Sequence, residues 1–204
     1  MSTKNFEIKM PNPKKYNRED VLDRAIEVFR RLGYSATSTT ELVDALGMNR
    51  KSLYAEFGSK QELFEAVLER YSEINLSRVL APIEATDANA ASIREAFLGY
   101  ASASETSFSG LGCLMANTAV ERAALDPGSA KFVDAYLQRL SKGFRNALEN
   151  AQRDGDLSTD ANLDDLAAHF VNSVVGISAL LRANATPEMM YAAGRGATSI
   201  IGSE

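Results

Sequence analysis

Arg50, Lys51 and Tyr54 fall close together in the run ALGMNRKSLYAEFGSK, Ala45 to Lys60. A guanidinium, an ammonium and a phenol near the start of a short helix are donors that can meet base edges or phosphates in a DNA major groove, which admits one helix. Thr37, Thr40 and Lys60 flank the run with groups suited to phosphate oxygens, contacts that fix register without reading sequence. A second set lies further along. Phe97, Tyr100, Phe108, Met115, Phe144 and Phe170 are large apolar residues, with Tyr100 and Asn117 as polar handles, and apolar walls with few polar groups suit a small organic molecule.

Catalytic chemistry is poorly stocked. The one His, His169, and the one Cys, Cys113, stand 56 positions apart, so no zinc cluster of Cys and His can be built in one subunit without carboxylates. No Gly-rich phosphate loop, nucleophile elbow or HExxH run occurs. The sequence therefore calls for no metal, no cofactor and no catalytic residue.

The elements that must carry these groups read as all-α. Asn17 caps a first helix whose stripe is Val21, Leu22, Ala25, Ile26, Phe29 and Leu32; Arg30 and Arg31 fill its last turn and Gly33 stops it. Ser38 and Glu41 are spaced as a capping box for a shorter helix that buries Leu42, Ala45 and Leu46 and ends at Gly47. Asn49 then caps a helix over 50–57, with Leu53 and Phe57 inward. The three-residue joint Gly47-Met48-Asn49 suits two helices meeting steeply, as in a helix-turn-helix. Beyond Ser59 the spacing predicts helices over 60–80, 89–105, 109–123, 129–153, 160–183 and 187–201, with a break at Pro82 and polar turns at Asp126-Pro127-Gly128 and Arg153 to Asp156. This divides the chain into a loose arm (1–16), a three-helix head (17–62) and a larger helical body (63–204).

Composition sets bounds on this reading. The 204 residues carry a formal net charge of -5, which excludes a broadly basic nucleic-acid coat. Residues 1–70 hold 12 Lys and Arg against 11 Asp and Glu, whereas 71–204 hold 10 against 16, so DNA contact is expected of the head alone. No apolar run is long enough to span a membrane, and the polar N-terminus does not read as a signal peptide. A single cysteine rules out an internal disulfide framework and fits a reducing compartment, the cytoplasm.

The text AIEVFRRLGYSATSTTELVDALGMNRKSLYAEFGSKQELFEAVL, Ala25 to Leu68, resembles the N-terminal DNA-binding domain of the TetR family of transcriptional regulators. GYSATS, the short second helix, Gly-Met, LYAEF and the Ser-Lys pair follow in that family's order. The resemblance implies an all-helical homodimeric repressor whose body binds a small organic ligand that releases it from a double-stranded DNA operator. It gives Ser38 and Thr40 capping and phosphate contacts, Asn49, Arg50 and Lys51 the start of the recognition helix, Tyr54 a backbone or base-edge contact, and Lys60 a phosphate. Lys51 stands where the family commonly has a small residue, and Glu56 where it commonly has His; Glu56 is not expected to touch DNA.

A dimer is expected physically too, because one short reading helix offers little contact area. The family dimerises through its last two long helices, which implies a seam of Phe170, Val174, Ile177, Leu181, Met190 and Ala193, with Ser173, Gly176 and Ser178 permitting close approach. The run GLGCLMANTAVE, Gly110 to Glu121, resembles a subgroup segment beside the pocket, and some relatives with a cysteine there respond to reactive compounds. No Lys or Arg lies within nine residues before or eight after Cys113, so this reading expects a small buried packing residue. An electrophile-sensing repressor, and an interaction module or small enzyme that no longer reads DNA, are the alternatives.

Overall fold

The computed structural model describes residues 16–202, and over these the chain is helical with no strand. The expected arm, 1–16, lies outside the described residues apart from Tyr16.

The head follows its local signals. Helix α1, Arg18–Leu32, starts where Asn17 Oδ1 accepts from Glu19 N at 2.9 Å, and buries Val21, Leu22, Ala25, Ile26 and Phe29 at three- and four-residue spacing. Helix α2, Thr39–Leu46, has the capping box on both sides, Ser38 Oγ with Glu41 N and Glu41 Oε2 with Ser38 N. Gly47 then takes the left-handed conformation (φ 65°), which costs a residue without Cβ nothing and turns the chain sharply into α3, Arg50–Phe57. Buried Met48, Leu53 and Phe57 pin α3 against its neighbours.

Ser59 caps α4, Lys60–Tyr71, which does not stop before Pro82. The helical path continues through a wide π turn at Ser72–Leu76 into α5, Ser77–Glu84, with Pro82 inside it. A proline forfeits one backbone hydrogen bond; buried Leu80 and Ile83 keep α5 docked regardless. Helix α6, Ala90–Ser102, follows, and then the expected helix over 109–123 is cut to α7, Leu114–Glu121. Gly110 and Gly112 both have positive φ and hold the preceding segment as a turn. Helix α8, Pro127–Asp154, has Asp126 as cap and Pro127 in its first turn; α9, Leu163–Arg182, and α10, Pro187–Thr198, complete the body. Phe97, Phe144 and Phe170 form its aromatic centre, with ring centroids 5.3–6.1 Å apart. None of the helices of the described residues is long and apolar enough to cross a membrane.

The expected seam requires correction. Phe170, Val174, Ile177, Leu181, Met190 and Ser178 are all buried within their own subunit and leave almost no surface for a partner. Ser173 and Ala193 are half-buried, the former donating to His169 O at 2.8 Å. The stripe was a true buried face, but it faces α6 and α8.

Candidate functional site

The head presents Thr40, Asn49, Arg50 and Lys51 to solvent at the starts of α2 and α3. Asn49 Oδ1 accepts from Ser52 N at 2.8 Å, so its side chain is occupied as the α3 cap. The Arg50 guanidinium lies 5.6 Å from the Tyr54 ring, and the Tyr54 hydroxyl is 2.8 Å from Thr39 Oγ1, which ties α3 to α2. Thr39 escaped sequence reading because Thr39 and Thr40 are equally plausible there; only the helix rotation separates them. Thr37 is a correction: it is 1% exposed and its hydroxyl donates to Gly33 O at 2.5 Å, so it holds the α1–α2 turn instead of offering a phosphate contact. Ser38 is exposed but spent on its capping box. Lys60 is half-buried with Nζ 4.2 Å from the centre of the Tyr34 ring; burial pushes its pKa down, and Arg122 adds to the effect. Glu56 turns away from the reading face toward Tyr16 (3.0 Å) and Arg18 (3.6 Å).

In the body, α4, α5, α6, α9 and the turn before α7 enclose a cavity of about 400 Å³. Of the expected apolar set, Tyr100 and Phe108 line it, and Cys113 joins them. Phe97, Met115, Phe144 and Phe170 are fully buried in the core, and Asn117 is spent donating to Leu111 O at 3.0 Å. Helical spacing marks a buried face without saying whether a cavity lies behind it. Cys113 is half-buried on the cavity wall and packs against the hydrophobic core, with Sγ 3.8 Å from the Tyr136 hydroxyl. Burial raises the pKa of Tyr71, Tyr100 and Tyr136 above the ordinary phenol value, so these hydroxyls stay neutral donors.

The wall also holds residues no motif announced, chiefly Arg30 of α1, Tyr71, Ser178 and Ile177. Arg30 is the link between head and body: its Nε and Nη2 donate to Gly112 O at 3.2 and 2.6 Å. Gly112 needs its missing side chain, since a Cβ there would lie 3.0 Å from both Ser178 O and Asn117 Oδ1. From the other side, Arg182 of α9 donates to Arg30 O. A second link joins the Gly33–Ser35 turn to α7, where Glu121 accepts from Tyr34 N at 3.0 Å and Ser35 N at 2.6 Å. Burial opposes ionisation of Glu121, but these donors outweigh it and its pKa is lowered. Arg122 stacks 3.7 Å from the Tyr34 ring centre and donates to Gln61 at 2.7 Å. Among the described residues no group of His, Cys, Asp and Glu is placed to hold a metal.

The comparisons agree with this geometry. Residues 21–67 match the family described as bacterial regulatory proteins, tetR family, and residues 90–197 match the tetracyclin repressor-like C-terminal domain. The HTH-type transcriptional repressor ComR of Escherichia coli (strain K12) is 31% identical over 87% of this chain and 85% of its own. YezE of Bacillus subtilis (strain 168), an uncharacterized HTH-type transcriptional regulator, is 29% identical over 86% of this chain and 91% of its own. In fold, the chain is similar to a cysteine mutant of the TetR family regulator CifR complexed with 26bp double-strand operator DNA, with a TM-score of 0.82 at 23% identity, covering 93% of this chain and 98% of that one. The chain belongs to the TetR family of bacterial regulatory proteins, which makes it a DNA-binding transcriptional regulator and not an enzyme.

Proposed function

We propose that this regulator is a homodimeric repressor that holds a near-palindromic operator through two α3 helices and leaves it when a small organic molecule fills the body cavity. One observation carries the reading: the cavity wall joins Arg30 of head helix α1 to Tyr100, Cys113 and Ile177 of the body. A ligand there bears on a residue that sets the head's orientation, so cavity occupancy and DNA affinity are coupled. In this reading residues 17–62 read DNA and 63–204 sense and dimerise, in the cytoplasm. Arg50 and Lys51 reach base edges, while Thr40, Tyr54, Lys60 and the capped helix starts at Ser38 and Asn49 meet phosphates.

The dimer seam is assigned to the outward side of α9 with α8. Ala168, Val171, Asn172 and Val175 form an open apolar groove there with Leu137 and Ser141, a surface the subunit itself leaves uncovered. The names of ComR, a repressor, and of operator-bound CifR support the mode of action. Fluorescence anisotropy on the protein's own promoter region tests the whole reading. Specific binding, weakened by a compound that raises the melting temperature, is expected; no preference over random DNA, with or without compounds, would overturn it.

A second reading, electrophile sensing, is favoured by the position of Cys113, half-buried on the cavity wall that also holds Arg30. It requires that only electrophiles release DNA and that Cys113→Ser abolishes the response while fold and DNA affinity persist.

A further inference from the structure

Arg30 is a cation buried without an anion. It is 8% exposed, in the last turn of α1, with its guanidinium 5.2 Å from the Phe108 ring centre and 5.8 Å from that of Tyr71. Its hydrogen bonds go to one acceptor, Gly112 O. Among the described residues no carboxylate lies within ion-pair distance of it. A carbonyl dipole and two ring faces replace only part of the hydration a guanidinium loses on burial, and its planar fork carries five donors. Nη1 donates to no protein atom among the described residues, yet it is not one of the polar atoms sealed from solvent. Arg30 lines this cavity and also a second, more polar one beside Asp23, Glu27 and Arg70, so its guanidinium stands between two open spaces.

The rest of the cavity sharpens the chemistry. Leu76, Val79, Ile177 and Leu181 make it largely apolar, and Arg78 and Glu95 stand on exposed parts of its edge, where water solvates them. Tyr100 adds a hydroxyl that makes no hydrogen bond within the described residues. An apolar chamber with one buried, uncompensated fork of donors is complementary to an apolar skeleton ending in a planar anion.

We propose that the cavity's ligand is a small organic acid whose carboxylate docks on Arg30. The proposal rests on the reading of the body as a ligand sensor and names the class of ligand. It also supplies the switch. A carboxylate forms a paired, charge-assisted contact that outcompetes a single carbonyl, so ligand draws the guanidinium away from Gly112. That removes a tie between α1 of the head and the turn leading into α7. A neutral molecule of the same shape fills the chamber without competing for Arg30.

The test uses the full-length dimer with naphthoate and decanoate against naphthamide and decanamide, read by thermal shift and by operator release. In the wild type the acids should raise the melting temperature and release DNA at concentrations about tenfold or more below those of the amides, a ratio equivalent to one decade in Kd. Arg30→Gln should keep amide binding and lose the acid preference; Arg30→Lys, which keeps the charge without the fork, should retain part of it. Amides that match the acids on the wild type, or an acid preference surviving in Arg30→Gln, would overturn the proposal and leave the ligand-responsive reading standing. Silence from acids and amides alike also overturns it, and the broader reading is then decided by the promoter assay with other compounds. Should circular dichroism show that Arg30→Gln does not fold, the wild-type ratio and Arg30→Lys decide.

Discussion

Replacing Glu121 by Gln isolates the second head–body link. The carboxylate accepts two backbone N–H groups, Tyr34 at 3.0 Å and Ser35 at 2.6 Å, and so anchors the turn between α1 and α2 to α7. Gln keeps one acceptor oxygen, loses the charge and turns an amide donor toward the other N–H. Hydrogen bonds to charged groups contribute roughly 1.5–3 kcal/mol each, and partial exposure screens this pair, so a net loss of about 1–2 kcal/mol is expected. For a chain of this size that lowers the melting temperature by about 2–8 °C at neutral pH. The sign of the pH effect follows from the lowered pKa: the wild type gains the contribution above the usual carboxylate value of 4.5 and loses it as pH falls through the lower folded value. The two melting curves should therefore converge toward acid pH. Circular dichroism melts at fixed protein concentration, from neutral pH downward, give the comparison, and hydrogen exchange at Tyr34 and Ser35 should quicken in the variant. Equal melting temperatures at neutral pH, or a deficit that does not shrink on acidification, would refute the reasoning.

Arg50→Ala should weaken operator-specific binding by roughly 1–3 kcal/mol if the guanidinium reads a base. Lys60→Ala should lower affinity on all sequences and reduce the salt slope by about one unit; both are read by anisotropy across a salt series. Val175→Asp, in the open groove, should give folded monomers by sedimentation, whereas Val174→Asp, fully buried in its own subunit, should unfold the chain; an intact Val175→Asp dimer would remove the seam from this face. Asp126, held at about 2 chiefly by the Ser129 hydroxyl against a usual 3.8, contributes stability that is present above the usual value and fades as pH falls through about 2, so Asp126→Asn should flatten the acid limb of the stability curve.

The head was written locally. Asn17, Ser38, Asn49 and Ser59 cap their helices from within three residues, and Gly33, Gly47 and Gly58 end them, so every signal lies inside the hydrogen bond it makes. The seam and the pocket were not written that way. A helical stripe such as Phe170, Val174, Ile177 and Leu181 records that a face is buried, but the same apolar pattern serves a subunit core, a partner or a ligand, and here it serves the core and the cavity edge. Likewise Thr37 read as a phosphate contact until its neighbours enclosed it. Arg30 read only as a favourable charge at a helix end. Its acceptor, Gly112, lies 82 positions away in sequence, and no local rule reaches that far. Caps and periodicity act over a few residues, so they mark the helices of the head and where each starts. Which buried face borders a cavity, and which cation stands uncompensated on its wall, depended on how the helices of the described residues share one interior, a long-range packing outcome.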